Sequence, residues 1–552
     1  MASRHRRRAA PRETEGATLV LHPLARRALA VALAVGTAAS GLVATGSAAA
    51  QETQGATPVQ WAACPEDVLS SVPAEERDKV SCADHPVPLD HREPHGEKIT
   101  IALLKRSADD QANRIGSLFL NPGGPGGSGL LYPTYGGSLF QPEVLKRFDL
   151  VGFDPRGVAR STPLRCFKTE EEAREVFGRM AAVPVTRTEI RDTMDATEDY
   201  TSACARNAGP LLRHMSTEAV ARDLDLLRQG VGDKQLNYVG FSYGTLLGAT
   251  YAAMFPSKSR ALVLDGNVDP ALRTSDGTEY DRQRAQGFEL ALDAFLKHCD
   301  AVGDKCAYSG GDPRAKFDEV RDHLRANPIT LPGGAVVTYA TYITRVAGVL
   351  YSPGAFQGLA EWLQDIYNVL HPDSASSSAR IAEQPAPPPN KRGLADVRVG
   401  VAGDAEYLAD DSYYGVNCSD KPFPKVPERF PAVAAKWERE SPTFGRMQAA
   451  SDLLTCASWP VRSPDRWSGP WHRRTPNPVV VVGNYYDPAT QYKFSQRMAR
   501  QLGNAVLVSV DSFGHCILGD SAGVDAVVAD YLVNLKAPAS GQVFQPDNQP
   551  FA

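Results

Sequence analysis

The chain carries no excess of either charge. Lys and Arg number 59 and Asp and Glu 64, a formal net charge of −5. No global basic field exists to draw in nucleic acid or an acidic membrane. Nowhere do two cysteines stand in a Cys-x-x-Cys pair, which leaves no thiolate motif for a structural metal. The one dense glycine cluster is not followed by Gly-Lys-Ser/Thr, so it is not a phosphate cradle. Past residue 50 no segment is apolar enough to span a bilayer. Internal repeats are absent too.

Several features place the protein outside the cell. Arg4, Arg6, Arg7, Arg8, Arg26 and Arg27 precede an uncharged stretch from Ala28 to Ala50, ending Ala48-Ala49-Ala50. Basic residues, an apolar run and a small-residue terminus predict an export leader over 1–50 and a mature start at Gln51. Arg26-Arg27 leave the export route open, Sec or twin-arginine. No cysteine lies near the cleavage position, which argues against a lipid anchor. The nine cysteines suit an oxidising compartment. Eight fall into neighbours along the chain: Cys64 with Cys82, Cys166 with Cys204, Cys299 with Cys306, Cys418 with Cys456. Cys516 is left over. Spacing alone does not fix connectivity, and pairing by nearness is the expectation.

Short apolar runs recur along the chain: Lys98–Leu104, Ile115–Leu120, Phe148–Phe153, Leu236–Phe241, Ala261–Leu264, Val479–Val482 and Ala505–Val510. Helical spacing over Ser216–Gly230 and Thr245–Phe255 separates some of them. Apolar strands alternating with helices predict a mostly parallel sheet covered on both faces. The roughly 200 residues before Val479 exceed any loop and predict an inserted, mainly helical domain. Helical patterns at Gly287–His298 and Tyr339–Tyr351 fall inside it. So does Ser374–Arg392, which reads as a Ser/Pro-rich loop. The expected organisation is a leader (1–50), a core (51–270), an insert (271–475), the rest of the core (476–536) and an irregular tail (537–552).

Gly240-Phe241-Ser242-Tyr243-Gly244 ends a predicted strand and opens a predicted helix. That context makes G-x-S-x-G a nucleophile elbow, in which a tight turn lifts the serine hydroxyl clear of the sheet. A serine hydroxyl needs a base to take its proton. On an α/β-hydrolase fold the acid and then the histidine follow the serine in chain order. Asp487 stands just after Val479–Val482, and His515 on the loop after Ala505–Val510. Asp265, after Ala261–Leu264, is the rival acid. The predicted catalytic set is therefore Ser242, His515 and Asp487. Asn121–Gly127 (NPGGPGG) offers backbone N–H groups at the same edge of the sheet. Gly124, with Gly123 close behind, and Tyr243 are the expected oxyanion donors. Asp154-Pro155-Arg156-Gly157 reads as a buried ion pair behind that loop. No metal and no organic cofactor is implied.

The Asn121–Gly127 loop, the Asp154–Gly157 turn, the Gly240–Gly244 elbow, the Asp487 turn and Gly514-His515 together resemble the prolyl aminopeptidase branch of the α/β-hydrolases. Cys418-Ser419-Asp420 and Cys456-Ala457-Ser458-Trp459-Pro460 extend the resemblance to the secreted tripeptidyl aminopeptidases of actinobacteria. Many relatives begin the glycine loop with His; Asn121 stands there in this chain. The resemblance implies release of short peptides, tripeptides among them, from free amino termini, with carboxylates in the insert holding the ammonium. Glu406, Asp410, Asp411 and Asp420 are available, and Asp420 and Glu406 are the expected substrate-binding pair. A secreted esterase is the alternative, since a triad does not choose the substrate. Neither nucleic acid nor stable membrane association is expected.

Overall fold

Several of the strands that run continuously apolar in sequence are buried along their whole length. The computed structural model describes residues 57–372 and 405–552. The leader expected over 1–50 and the Ser/Pro-rich stretch at 374–392 lie outside them. In chain order the strands are β1 (Val80–Pro88), β2 (Lys98–Arg106), β3 (Gly116–Asn121), β4 (Phe148–Phe153), β5 (Leu236–Phe241) and β6 (Ser259–Asp265). Then come β7 (Ile329–Thr330), β8 (Val336–Val337), β9 (Val479–Tyr486), β10 (Ala505–Phe513) and β11 (Val543–Phe544). Every residue of β3, β4 and β5 is buried.

Nine of these strands form one sheet in the order β1-β2-β4-β3-β5-β6-β9-β10-β11. β2 pairs antiparallel with β1 and β4, and every other pairing is parallel. Burial on both faces explains the absence of polar alternation. One face packs Phe119, Val151, Tyr238 and Val481. The other packs Leu118, Val239, Val263, Val480 and Val508.

All seven strands expected from sequence are present. β1, β7, β8 and β11 are additions, of which β1 and β11 lie in stretches that read as irregular. Pairing makes them strands rather than propensity: β1 zips along all of β2, and Val543–Phe544 sits beside Ser509–Val510. The helix Thr217–Gly230 starts where expected, with the Ser216 side chain accepting the Ala219 N–H. A helix over Arg187–Asn207 was not foreseen. Its signature was present in Thr186–Glu189, a capping box of the S/T-x-x-E type.

Between β6 and β9 the chain leaves the sheet and turns mainly helical, in Gly277–Val302, Pro313–Leu324, Tyr339–Val349, Phe356–Leu370, Ser412–Asp420 and Phe430–Glu440. This helical block has a core of its own around Phe288, Phe295, Phe317, Tyr342 and Leu363. The four disulfides join the four neighbouring pairs, Cys64–Cys82, Cys166–Cys204, Cys299–Cys306 and Cys418–Cys456. Cys516 is buried and unbridged. Among the described residues no helix is long and apolar enough to cross a membrane.

Candidate active site

The β5 strand ends at Phe241, and the next residue, Ser242, takes φ +56°. A left-handed serine costs about 1–3 kcal/mol and persists only where its surroundings hold it. Here the Ser242 N–H donates to the Asp265 carbonyl at 2.9 Å. The Ser242 carbonyl accepts the Thr245 N–H at 2.9 Å and its hydroxyl at 2.6 Å. Flanking glycines are required: a Cβ on Gly240 would lie 2.4 Å from the Gly244 carbonyl oxygen, and one on Gly244 2.7 Å from that of Asn121. The strand-turn-helix context expected for G-x-S-x-G is therefore present.

Asp487 and His515 meet at the ends of β9 and β10. His515 Nδ1 lies 2.8 Å from Oδ2 and 3.0 Å from Oδ1 of Asp487. Asp487 is 1% exposed, and a buried carboxylate needs donors. It receives the N–H groups of Ala489 (2.9 Å) and Thr490 (2.8 Å) and the Thr490 hydroxyl (2.9 Å). Burial opposes ionisation, yet His515 and these donors hold Asp487 below the usual carboxylate range. His515 moves the other way. Desolvation opposes its charge, but the Asp487 carboxylate and the neighbouring Cys516 push its pKa well above the ordinary histidine value. Thr490 Oγ1 also lies 3.2 Å from His515 Nδ1, a contact that no motif announced.

The rival acid, Asp265, has a different task. Its carboxylate accepts the N–H groups of Ile517 (2.8 Å) and Leu518 (3.0 Å). It thus fixes the backbone just after His515, while Asp487 meets the imidazole.

The glycine loop packs on the elbow. A Cβ on Gly123, at φ +95°, would lie 2.4 Å from the Phe241 carbonyl and 2.9 Å from both Ser242 Cβ and the Tyr243 nitrogen. Asn121 takes the Gly123 N–H on its side-chain oxygen at 3.1 Å. No hydrogen bond within the described residues uses the N–H of Gly124 or of Tyr243. These two backbone donors, one next to Ser242 in the chain and one in the loop that packs on it, are thus uncommitted, and the Gly123 N–H is not. The expected Asp154–Arg156 ion pair is absent. Arg156 is clamped by Asp223 at 2.7 Å through both Nε and Nη2, while Asp154 takes the Ser128 hydroxyl and the Arg160 N–H.

The helical block reaches this site. Tyr351 sets its ring edge-on to the His515 ring, 5.2 Å between centroids, and its carbonyl accepts the His515 N–H at 3.0 Å. Tyr413 lies against the glycine loop, its backbone nitrogen 3.0 Å from where a Gly126 Cβ would stand. Neither tyrosine was singled out from sequence, because nothing local marks residues that only the tertiary fold brings together.

The carboxylates expected to hold the ammonium have these surroundings. Asp420 is 2% exposed and accepts both the N–H and the hydroxyl of Thr217, which also bonds the Tyr243 hydroxyl. It braces the elbow from within. Glu406 lies at the surface, 70% exposed and 2.7 Å from Arg165. Asp411 holds the Cys166 N–H and the Tyr200 hydroxyl, and Asp410 the N–H groups of Ala159 and Ser412. Among the described residues one group, Asp90, His214 and Asp465, has ligand atoms within 4.8 Å of one another. Arg92 already stands between its carboxylates, 2.7 Å from Asp90 and 3.9 Å from Asp465.

Residues 116–304 match the family model described as alpha/beta hydrolase fold, and 441–544 match that described as TAP-like protein. The serine protease Hip1 of Mycobacterium tuberculosis is 31% identical over 510 residues, 88% of this chain and 90% of that protein. The chain belongs to the α/β-hydrolase family. The tripeptidyl aminopeptidase of Streptomyces lividans is 29% identical over 86% of this chain and 84% of its own length. A protein named carboxylesterase B, from Mycobacterium tuberculosis, is 30% identical over 90% and 92%. With serine protease and aminopeptidase relatives along nearly its whole length, this α/β-hydrolase is a serine hydrolase of the peptidase type.

Proposed function

We propose that the protein is a secreted exopeptidase that releases short peptides, tripeptides among them, from free amino termini through an acyl-enzyme on Ser242. The observation that carries the mechanism is the Asp487–His515 pair at the strand ends beside the strained Ser242 turn. His515 takes the Ser242 proton as the hydroxyl attacks the peptide carbonyl, and Asp487 holds the imidazole in the required tautomer. The N–H groups of Gly124 and Tyr243 face the developing oxyanion. His515 then protonates the leaving amine. Water, activated by the same imidazole, frees the acyl group.

Secretion is supported by the basic and apolar N-terminus and by four disulfides. Specificity for free amino termini is supported by the aminopeptidase relative and by the helices that crowd His515 and the glycine loop. The test is a chromogenic tripeptide substrate compared with its N-acetylated form. The proposal expects acetylation to lower kcat/KM by about 100-fold or more, because it removes the charge that the pocket selects. Equal rates on the two forms overturn it. Rapid cleavage of simple esters with no peptide turnover transfers the protein to the esterase reading, which the carboxylesterase B relative favours.

A further inference from the structure

Arg284 sits in the helix Gly277–Val302, with 17% of its side chain exposed. Its nearest carboxylate is Asp281, 3.8 Å from Nη1 and outside hydrogen-bond reach. Asp281 is already engaged by Lys421 Nζ at 2.7 and 2.9 Å, and the same ammonium binds Asp452. Among the described residues no acceptor bonds the Arg284 guanidinium. Burial opposes its charge, but the Tyr413 phenol, Asp281 and the Tyr351 phenol sustain it.

Arg284 shares a helix face with Gly287 and Phe288, three and four residues on, and a Cβ on Gly287 would lie 2.9 Å from the Pro488 carbonyl, next to Asp487. Tyr351 covers the His515 ring and Tyr413 abuts Gly126 of the oxyanion loop. One turn further on, Phe288 packs against Tyr351 at 5.9 Å and directs this face of the helix toward the site. The side-chain hydroxyls of Tyr351 and Tyr413 likewise make no hydrogen bond among the described residues. A planar five-donor fork thus sits on the helix face that meets the Asp487 turn and Tyr351, and no acceptor bonds it among the described residues. Such a donor set matches a carboxylate, which takes a guanidinium bidentately. Leaving a partly buried guanidinium unbonded carries a desolvation cost that an arriving carboxylate removes.

We propose that Arg284, with Tyr351 and Tyr413, forms a subsite for a substrate carboxylate, making the enzyme selective for short peptides that carry one there. The inference rests on the reading of Ser242 as nucleophile. The carboxylate is either an acidic side chain of the released peptide or the free carboxyl terminus of a short substrate.

The experiment has one arm for each source. In the first, tripeptide p-nitroanilides carry Glu or Gln walked through the three positions. In the second, a tetrapeptide with a free terminal carboxylate is compared with its terminal amide. Wild type, Arg284→Met and Arg284→Lys are measured on both. The expected result is a preference of roughly 10- to 100-fold in kcat/KM for the acid member of one arm, expressed chiefly in KM. Arg284→Met brings that ratio close to one, and Arg284→Lys keeps part of it. Acid-to-neutral ratios near one in both arms overturn the subsite, as does a preference that survives Arg284→Met. If Arg284→Met does not fold, the wild-type ratios and the Arg284→Lys ratio decide: a preference unchanged by Lys overturns the proposal. Failure to turn over any of these peptides, neutral or acidic, by enzyme that still labels with a fluorophosphonate would instead refute the peptidase reading.

Discussion

The Asp265 carbonyl accepts the Ser242 N–H at 2.9 Å, so the end of β6 holds the serine in its left-handed turn. The carboxylate of the same residue holds the Ile517 and Leu518 N–H groups, just past His515. One residue on the neighbouring strand thus ties the serine turn to the histidine loop.

Two aspartate substitutions separate the roles. Asp487→Asn leaves His515 in the wrong tautomer, and kcat is expected to fall on the order of 10³- to 10⁴-fold with little change in melting temperature. Asp265→Asn keeps one oxygen for the Ile517 and Leu518 N–H groups, which both bond Oδ2, but removes the charge that strengthens those bonds and buries an NH2 in place of the other oxygen. It should lower Tm by about 5 °C while kcat falls less than tenfold. Thermal melts and steady-state kinetics on both variants check this. A nearly inactive Asp265 variant beside a nearly normal Asp487 variant would reverse the assignment.

Thr490→Val removes a hydroxyl shared by Asp487 and His515 but keeps the shape. The carboxylate then loses one of its donors and the imidazole a neighbour at 3.2 Å. A loss of roughly tenfold in kcat, with KM nearly unchanged, is expected. Rescue by Thr490→Ser would assign the effect to the hydroxyl and not to packing.

The pH profile follows from the pair. His515 acts as base only when neutral, and Asp487 raises its pKa well above the ordinary value of 6.5. Peptidase activity should therefore rise with pH through a midpoint above 6.5, and kcat/KM profiles locate it. A midpoint at or below 6 would mean that the Asp487 charge does not reach the imidazole.

Reduction should destabilise the protein. Cys166–Cys204 and Cys418–Cys456 each span 38 residues, and loop closure of that length is worth roughly 3–4 kcal/mol. Melting with and without reductant, and with Cys418→Ser/Cys456→Ser, measures it. An unchanged Tm in the double variant would show that the helical block keeps its order without the bridge.

The sequence disclosed what is local. Ser242 stood in a pentapeptide whose glycines are demanded by contacts a few residues away, and Asp487 and His515 stood at the ends of apolar runs that could only be buried strands. Pairing of cysteines by nearness held because each pair closes a loop of 38 residues or fewer. What was lost is long-range. Asp420 looked like an ammonium anchor because it neighbours Cys418, and only the fold shows Thr217 consuming its carboxylate from 203 residues away. Asp154 and Arg156 look like partners two residues apart, yet Arg156 reaches Asp223. Tyr351, Tyr413 and Arg284 carry no motif, and the tertiary packing of the helical block alone brings them to the site.

The account rests on Ser242 as the single nucleophile, and covalent labelling addresses it most directly. Wild-type protein and Ser242→Ala are treated with a fluorophosphonate, and intact mass and the labelled peptide are read for each. The account predicts one adduct per wild-type chain, on the peptide containing Ser242, with peptidase activity lost in step with labelling. It predicts no adduct and a loss of about 10⁴-fold or more in turnover for Ser242→Ala. A stoichiometric adduct on another residue, or a Ser242→Ala protein that keeps more than a few per cent of activity, would contradict it.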